Sequence, residues 1–173
     1  LLPFTPTTKK ACLTDRGILM TYGSGANGCL GHGSNHDVAQ TKAKIVEALL
    51  GCEVTLISAG ATHLMALTND HDLFAWGRPD NGRLGLGTQQ HQQLQQQQQP
   101  QNSEESADPT KHLSQPDSVK TTTGGSNGAN NASVSRPTRV PLPAPHVAAR
   151  VFCGADASAV ITDAGILFCC GSN

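Results

Sequence analysis

Leu67-Thr68-Asn69-Asp70-His71-Asp72-Leu73-Phe74-Ala75-Trp76-Gly77 places two apolar runs around a polar centre and closes on glycine. An apolar residue and a threonine lead into an Asn/Asp turn, and a second apolar run follows. That order predicts strand, tight turn, strand. The pattern occurs twice more without gaps. Leu13-Thr14-Asp15-Arg16-Gly17-Ile18-Leu19-Met20-Thr21-Tyr22-Gly23 precedes it, and Ile161-Thr162-Asp163-Ala164-Gly165-Ile166-Leu167-Phe168-Cys169-Cys170-Gly171 follows it.

Working outward, two further elements repeat. Gly28-Cys29-Leu30-Gly31-His32-Gly33 matches Gly82-Arg83-Leu84-Gly85-Leu86-Gly87, and Ile57-Ser58-Ala59-Gly60 matches Val151-Phe152-Cys153-Gly154. Gly60 and Gly154 each stand 17 residues before a closing glycine, Gly77 and Gly171. Where the same spacing leads back from Gly23, the chain has Pro6. The closing glycines Gly23 and Gly77 are 54 residues apart, and Gly77 and Gly171 are 94 apart. The excess of 40 has a visible source, a Gln-rich and then Ser/Asn/Gly-rich stretch from Thr88 to Ser135 that includes Gln95 to Gln99. Such a segment buries too little apolar surface to offset its ordering entropy, so disorder is expected there.

A period near 54 with several short strands and turn signals predicts a propeller blade. The expected fold is all-β, a partial propeller of two to three blades interrupted by the insertion. The expected organisation is an unmatched segment at 1–10, repeats at 11–87, the insertion at 88–135 and a truncated repeat at 136–173. Thr41 to Leu50 has helical propensity, but it falls where the period needs an outer strand and loop. Antiparallel pairs are expected at about 64–68 with 73–77 and 158–162 with 166–170. The recurring glycines, Gly23, Gly28, Gly31, Gly33, Gly60, Gly77, Gly82, Gly85, Gly87, Gly154 and Gly171, are expected to be structural: they permit positive φ or close packing of blades. His71 stands where the sibling turns have Gly17 and Gly165, so it is expected at positive φ, which histidine tolerates better than most residues.

These residues resemble a known family. Leu73-Phe74-Ala75-Trp76-Gly77 followed by Asn81-Gly82-Arg83-Leu84-Gly85-Leu86-Gly87, with Gly60-Ala61-Thr62-His63 upstream, is similar to the regulator of chromosome condensation repeat. Thr21 to Ser34 and Ile45 to Gly51 resemble in particular the propeller region of NIMA-related serine/threonine kinases. The resemblance implies a ring of about seven blades, of which this chain holds a part. It also implies a kinase domain ahead of the propeller, which would restrain or target it in a cell-cycle, cilium or centrosome role. The alternative is guanine-nucleotide exchange on a small GTPase of the Ran type, as in the family's founding member. In both cases the expected partners are proteins: the kinase domain of the same polypeptide, or the GTPase.

Composition and motifs point away from chemistry in this chain. Net charge is −1, which provides no electrostatic footprint for nucleic acid or an anionic membrane. No apolar run reaches the ~18 residues of a membrane helix. Gly23-Ser24-Gly25-Ala26-Asn27-Gly28 is a literal G-x-G-x-x-G, but Cys29-Leu30-Gly31-His32-Gly33 follows where a phosphate site needs a helix. Gly77 to Arg83 has P-loop-like spacing without the Lys and Ser/Thr that hold phosphate and Mg²⁺. His32 and His36 are four apart, yet the glycine between them breaks any helix that would align them on a metal. His63 opens an apolar strand and reads as a core histidine bonded to backbone. No catalytic residue, cofactor or metal ligand is therefore expected.

Asn131-Ala132-Ser133 is a glycosylation sequon, and Thr5-Pro6 has the form of a proline-directed phosphosite. Six cysteines, none in C-x-x-C spacing, sit mostly in apolar runs. Buried reduced thiols are expected, and with them an intracellular protein: cytoplasmic, at the centrosome or cilium, or nuclear. Cys169 and Cys170 fall at the positions of Ala75 and Trp76 and read as packing residues. The chain begins at Leu1 without a charged leader and is expected to be an excerpt of a longer polypeptide.

Overall fold

The computed structural model describes residues 8–33, 38–87 and 133–172. Ten strands form three antiparallel sheets. The first contains β1 (Lys9–Leu13), β2 (Leu19–Gly23) and β3 (Gln40–Ile45) in that order. The second contains β4 (Val54–Ala59), β5 (His63–Thr68), β6 (Leu73–Gly77) and β7 (Val134–Arg139). The third contains β8 (Ala148–Cys153), β9 (Ala157–Thr162) and β10 (Leu167–Gly171).

Each sheet is a blade, and the middle one has all four strands. The first blade has the counterparts of β5, β6 and β7; the third has the counterparts of β4, β5 and β6. The anticipated hairpins are present. β5 pairs with β6 from His63↔Gly77 to Leu67↔Leu73, and β9 pairs with β10 from Ala157↔Gly171 to Ile161↔Leu167. Thr41 to Leu50 forms strand β3 and a 3-10 turn at Glu47–Leu49 rather than a helix.

The blades stack face to face. All six residues of β5 are buried, because the first and third blades cover the two faces of the second. The core runs through Leu19, Leu64, Met65, Trp76, Leu84, Val134 and Val160. One position reports the stacking directly: Leu19 and Leu73 are each 2% exposed, whereas Leu167, their counterpart in the third blade, is 59% exposed. No described residue covers that third face.

Two expected boundaries move. Lys9 and Lys10 are not outside the repeat; they start β1, paired with Gly23 and Tyr22. Backbone pairing is indifferent to the long polar side chains, and the Lys9 ammonium leaves the strand to donate to the Ala61 carbonyl at 2.6 Å. Val134 and Ser135 are not insertion. Val134 is 3% exposed opposite Gly77, and the Ser135 carbonyl accepts from Gly33 N–H at 2.9 Å. The rest of the insertion, 88–132, lies outside the described residues, as do Pro6, the Thr5-Pro6 motif, His36 and the first two residues of the sequon.

Candidate interaction surface and the joints between blades

The two joints use one device. After β2 and β6 the chain makes the same 3-10 turn, Ala26–Gly28 and Asp80–Gly82, with Asn27 at φ 59° and Asn81 at φ 57°. The residue that follows each turn offers its carbonyl to the next blade. Trp76 Nε1–H donates to the Cys29 carbonyl at 3.0 Å. Ser158 Oγ–H donates to the Arg83 carbonyl at 2.7 Å, and Cys170 Sγ reaches the same oxygen at 3.5 Å. Cys29 and Arg83 are equivalent positions, as are Trp76 and Cys170. Gly31 closes the first joint: a Cβ there would stand 2.9 Å from Trp76 Nε1, and its φ of 80° already favours glycine. The literal G-x-G-x-x-G is this turn, with three helical residues at most.

The second joint is more polar. Arg83 is 3% exposed. Its guanidinium donates to the Asp80 carbonyl at 2.9 Å and Thr62 Oγ1 at 2.8 Å, and forms an ion pair with Asp156. Beside it His63, 0% exposed, has Nε2 at 2.8 Å from Ser158 Oγ. The Ser158 proton is committed to the Arg83 carbonyl, so Ser158 accepts from His63 Nε2–H. His63 Nδ1 is then an unprotonated nitrogen with no partner. Burial, with Arg83 and Lys9 adding repulsion against a weaker opposing pull from Asp156, lowers the His63 pKa to about 4.

This partner corrects the expectation of a backbone bond. The ring nitrogen reaches across the joint, where a serine of the next blade lies within hydrogen-bond distance. The pair has the spacing of a serine–histidine dyad but not its chemistry. A nucleophilic serine donates to the histidine, whereas Ser158 accepts from it and is itself only 2% exposed. His32 has a similar bond in the first blade, to Thr21 Oγ1 at 3.1 Å, and burial lowers its pKa as well.

His71 adopts φ 63°, beside Gly17 at 72° and Gly165 at 78°. Its ring does something no glycine can: Nδ1–H donates to the Ala148 carbonyl of the third blade at 3.0 Å. The ring borders an open pocket of ≈380 Å³ lined by Asp70, His71, Asp72, Leu73, Arg139, Val140, Pro141, Leu142, His146 and Val147. His71→Gly should therefore be nearly neutral. It removes about 1 kcal/mol of left-handed strain and also a bond of about 1 kcal/mol. His71→Val loses the bond and puts a β-branched residue at positive φ, so stability should fall by about 2 kcal/mol. Calorimetric melting of the two variants checks this; a valine variant as stable as the parent would refute it.

Of the recurring glycines, Gly23, Gly28, Gly31, Gly33, Gly77, Gly82, Gly85, Gly87 and Gly171 have positive φ. Gly60 and Gly154 do not. At Gly60 close approach is the constraint, since a Cβ would collide with the His63 ring and the Gly154 carbonyl. All six cysteines are free thiols; burial raises the pKa of Cys153 and Cys170, and Cys169 is exposed. Among the described residues no three His, Cys, Asp or Glu side chains are placed to hold a metal, and no helix is long and apolar enough to cross a membrane.

Residues 16–67 and 54–83 match two family models, each described as the regulator of chromosome condensation repeat. These are regulator of chromosome condensation repeats. The chain is also 41% identical over 162 residues to serine/threonine-protein kinase Nek8 of Danio rerio, an alignment covering 94% of this chain and 17% of that kinase. Two solved structures share the propeller fold. Human WBSCR16 superposes with a TM-score of 0.64 at 20% identity, covering 94% of this chain and 30% of its own. Yeast RCC1 (Prp20), solved bound to Kap60, gives 0.58 at 20% identity, covering 94% and 27%. The repeats thus span under a third of each of these proteins.

Proposed function

We propose that these blades are a regulatory, protein-binding segment of a NIMA-related serine/threonine kinase and contain none of its chemistry. One observation carries the reading: the similarity to Nek8 extends through 94% of this chain at 41% identity, beyond the residues that define the repeat. The structure supports the division of labour. Of the buried polar groups, His63, Arg83 and Ser158 are committed to the joint between the second and third blades and Thr21, Thr68 and Thr162 to bonds within their own blades, which leaves turns and linkers on a rigid frame as the variable surface. The six free thiols fit a reducing compartment inside the cell, the cytoplasm with its cilium or centrosome. The exchange-factor reading draws only on likeness of fold.

The test begins with the native polypeptide, captured from cells by an antibody against residues 133–172. It should be several-fold heavier than 18.0 kDa and should transfer ³²P from labelled ATP to serine or threonine of a generic protein substrate. A captured polypeptide of greater length with no such transfer would refute the reading.

A further inference from the structure

The two joints respond differently to protons. By strand register Lys9, His63 and Ala157 occupy one position, opposite the closing glycines Gly23, Gly77 and Gly171. Lys10, Leu64 and Ser158 occupy the next. The first joint therefore has Leu64, 1% exposed, where the second has Ser158. Lys9, at the histidine's position, sends its ammonium to the Ala61 carbonyl. A buried histidine paired across a joint belongs to the second joint.

That ring is walled in. Nε2–H is committed to Ser158 Oγ, and Nδ1 is buried without a partner. A Cβ on Gly60 would collide both with the ring and with the Gly154 carbonyl, so the turns of the second and third blades meet over the histidine with room for a hydrogen atom alone. Two bonds tie those blades together there. Ala61 N–H donates to the Ala155 carbonyl at 3.3 Å, and Cys153 N–H donates to Ser58 Oγ at 2.8 Å. The charged groups facing the ring are Lys9 from the first blade, Arg83 from the turn after β6 and Asp156 from the third blade. Asp156 is already paired with Arg83. A proton on Nδ1 makes a buried donor with no acceptor among the described residues, beside two cations. The ring reaches water when the Gly60 turn parts from the Gly154 turn.

We infer that protonation of His63 opens the joint between the second and third blades locally, ahead of unfolding, and leaves the first joint closed. An exposed ring takes its proton at the ordinary 6.5 and the enclosed ring at about 4. Between those values each step of one pH unit favours the open joint by up to about tenfold. From pH 7 to pH 5 the open population rises about twentyfold. His32 titrates in the same direction, but its bond is to Thr21 within the first blade. The latch belongs to the blades alone, so it and the kinase reading fail separately.

Amide hydrogen exchange of the full-length protein, read to single residues by mass spectrometry and corrected for the intrinsic rate at each pH, tests this. The Ala61 and Cys153 amides cross the second joint, and Gly33 N–H crosses the first to the Ser135 carbonyl. Protection of Ala61 and Cys153 should fall about twentyfold from pH 7 to pH 5, with Gly33 unchanged. His63→Gln keeps an N–H for Ser158 and cannot titrate, so it should abolish the fall. Should that variant fail to fold, Lys9→Met removes one repelling charge, lets the enclosed ring hold a proton more readily and should shrink the fall. An equal loss of protection at Gly33 would mean global unfolding. Constant protection at Ala61 and Cys153, or the parent's full loss in either variant, would place the acid response elsewhere. Each of these results overturns the inference.

Discussion

Trp76→Ala should cost the folded protein about 4 kcal/mol. Trp76 is the chain's single tryptophan and is fully buried, at 0% exposure. It sits on β6, the third strand of the middle blade, and its indole crosses to the first. The loss has two parts. Removing the ring leaves a cavity in close-packed surroundings, where Gly31 has already been pared to a hydrogen atom to admit it. It also strips the Cys29 carbonyl of its donor. Trp76→Phe separates them: most of the apolar area stays, the Nε1–H goes, and the expected cost is about 1–2 kcal/mol for a buried acceptor left unpaired. Urea unfolding followed by far-ultraviolet circular dichroism measures both. An alanine variant within about 1 kcal/mol of the parent would mean that the blades do not depend on this contact.

The second large effect is on pH. His63 has a folded pKa of about 4 against an ordinary value of 6.5. Between those values the unfolded chain binds a proton that the folded chain refuses, so stability rises with pH across the window and falls on acidification. The full shift corresponds to about 3 kcal/mol lost between pH 6.5 and pH 4. The groups facing the ring agree with the sign. Arg83 and Lys9 repel an imidazolium, and Asp156 draws it only weakly from a half-exposed position. His32 acts in the same direction from the first blade. His63→Leu should flatten much of the slope while Ser158 keeps its bond to the Arg83 carbonyl. Equal slopes in parent and variant would locate the acid sensitivity elsewhere.

The hairpins and their turns were legible because they are local. A closing glycine, a threonine before the turn and a residue at positive φ all lie within eleven positions of one another, and β-geometry demands them there. His71 shows how far that reading extends: its backbone conformation followed from its siblings, but its bond to Ala148 spans 77 residues and has no local signal. The same holds for His63 and Ser158, 95 residues apart. Composition misled at the edges. Val134 and Ser135 sit beside a low-complexity tract and take its character in any window average, yet they form a paired, buried strand start. Lys9 and Lys10 lack strand propensity, and register with β2 overrides that. The pocket had no local signal either, since its walls come from residues 70–73 and from residues 139–142 with 146–147, far apart in the sequence.

The sequence unit and the blade are out of phase. A unit that ends on one closing glycine and ends again on the next supplies an outer strand to one blade and three inner strands to its neighbour. The match at residues 16–67 illustrates the offset, starting in the turn before β2 and finishing within β5. In genetic terms, a duplication or loss of one whole period anywhere along such a gene returns the strands to step and leaves every blade complete. A break at any other length unmakes two blades at once. The offset thus lets the number of blades drift by whole steps over evolutionary time while penalising every partial one.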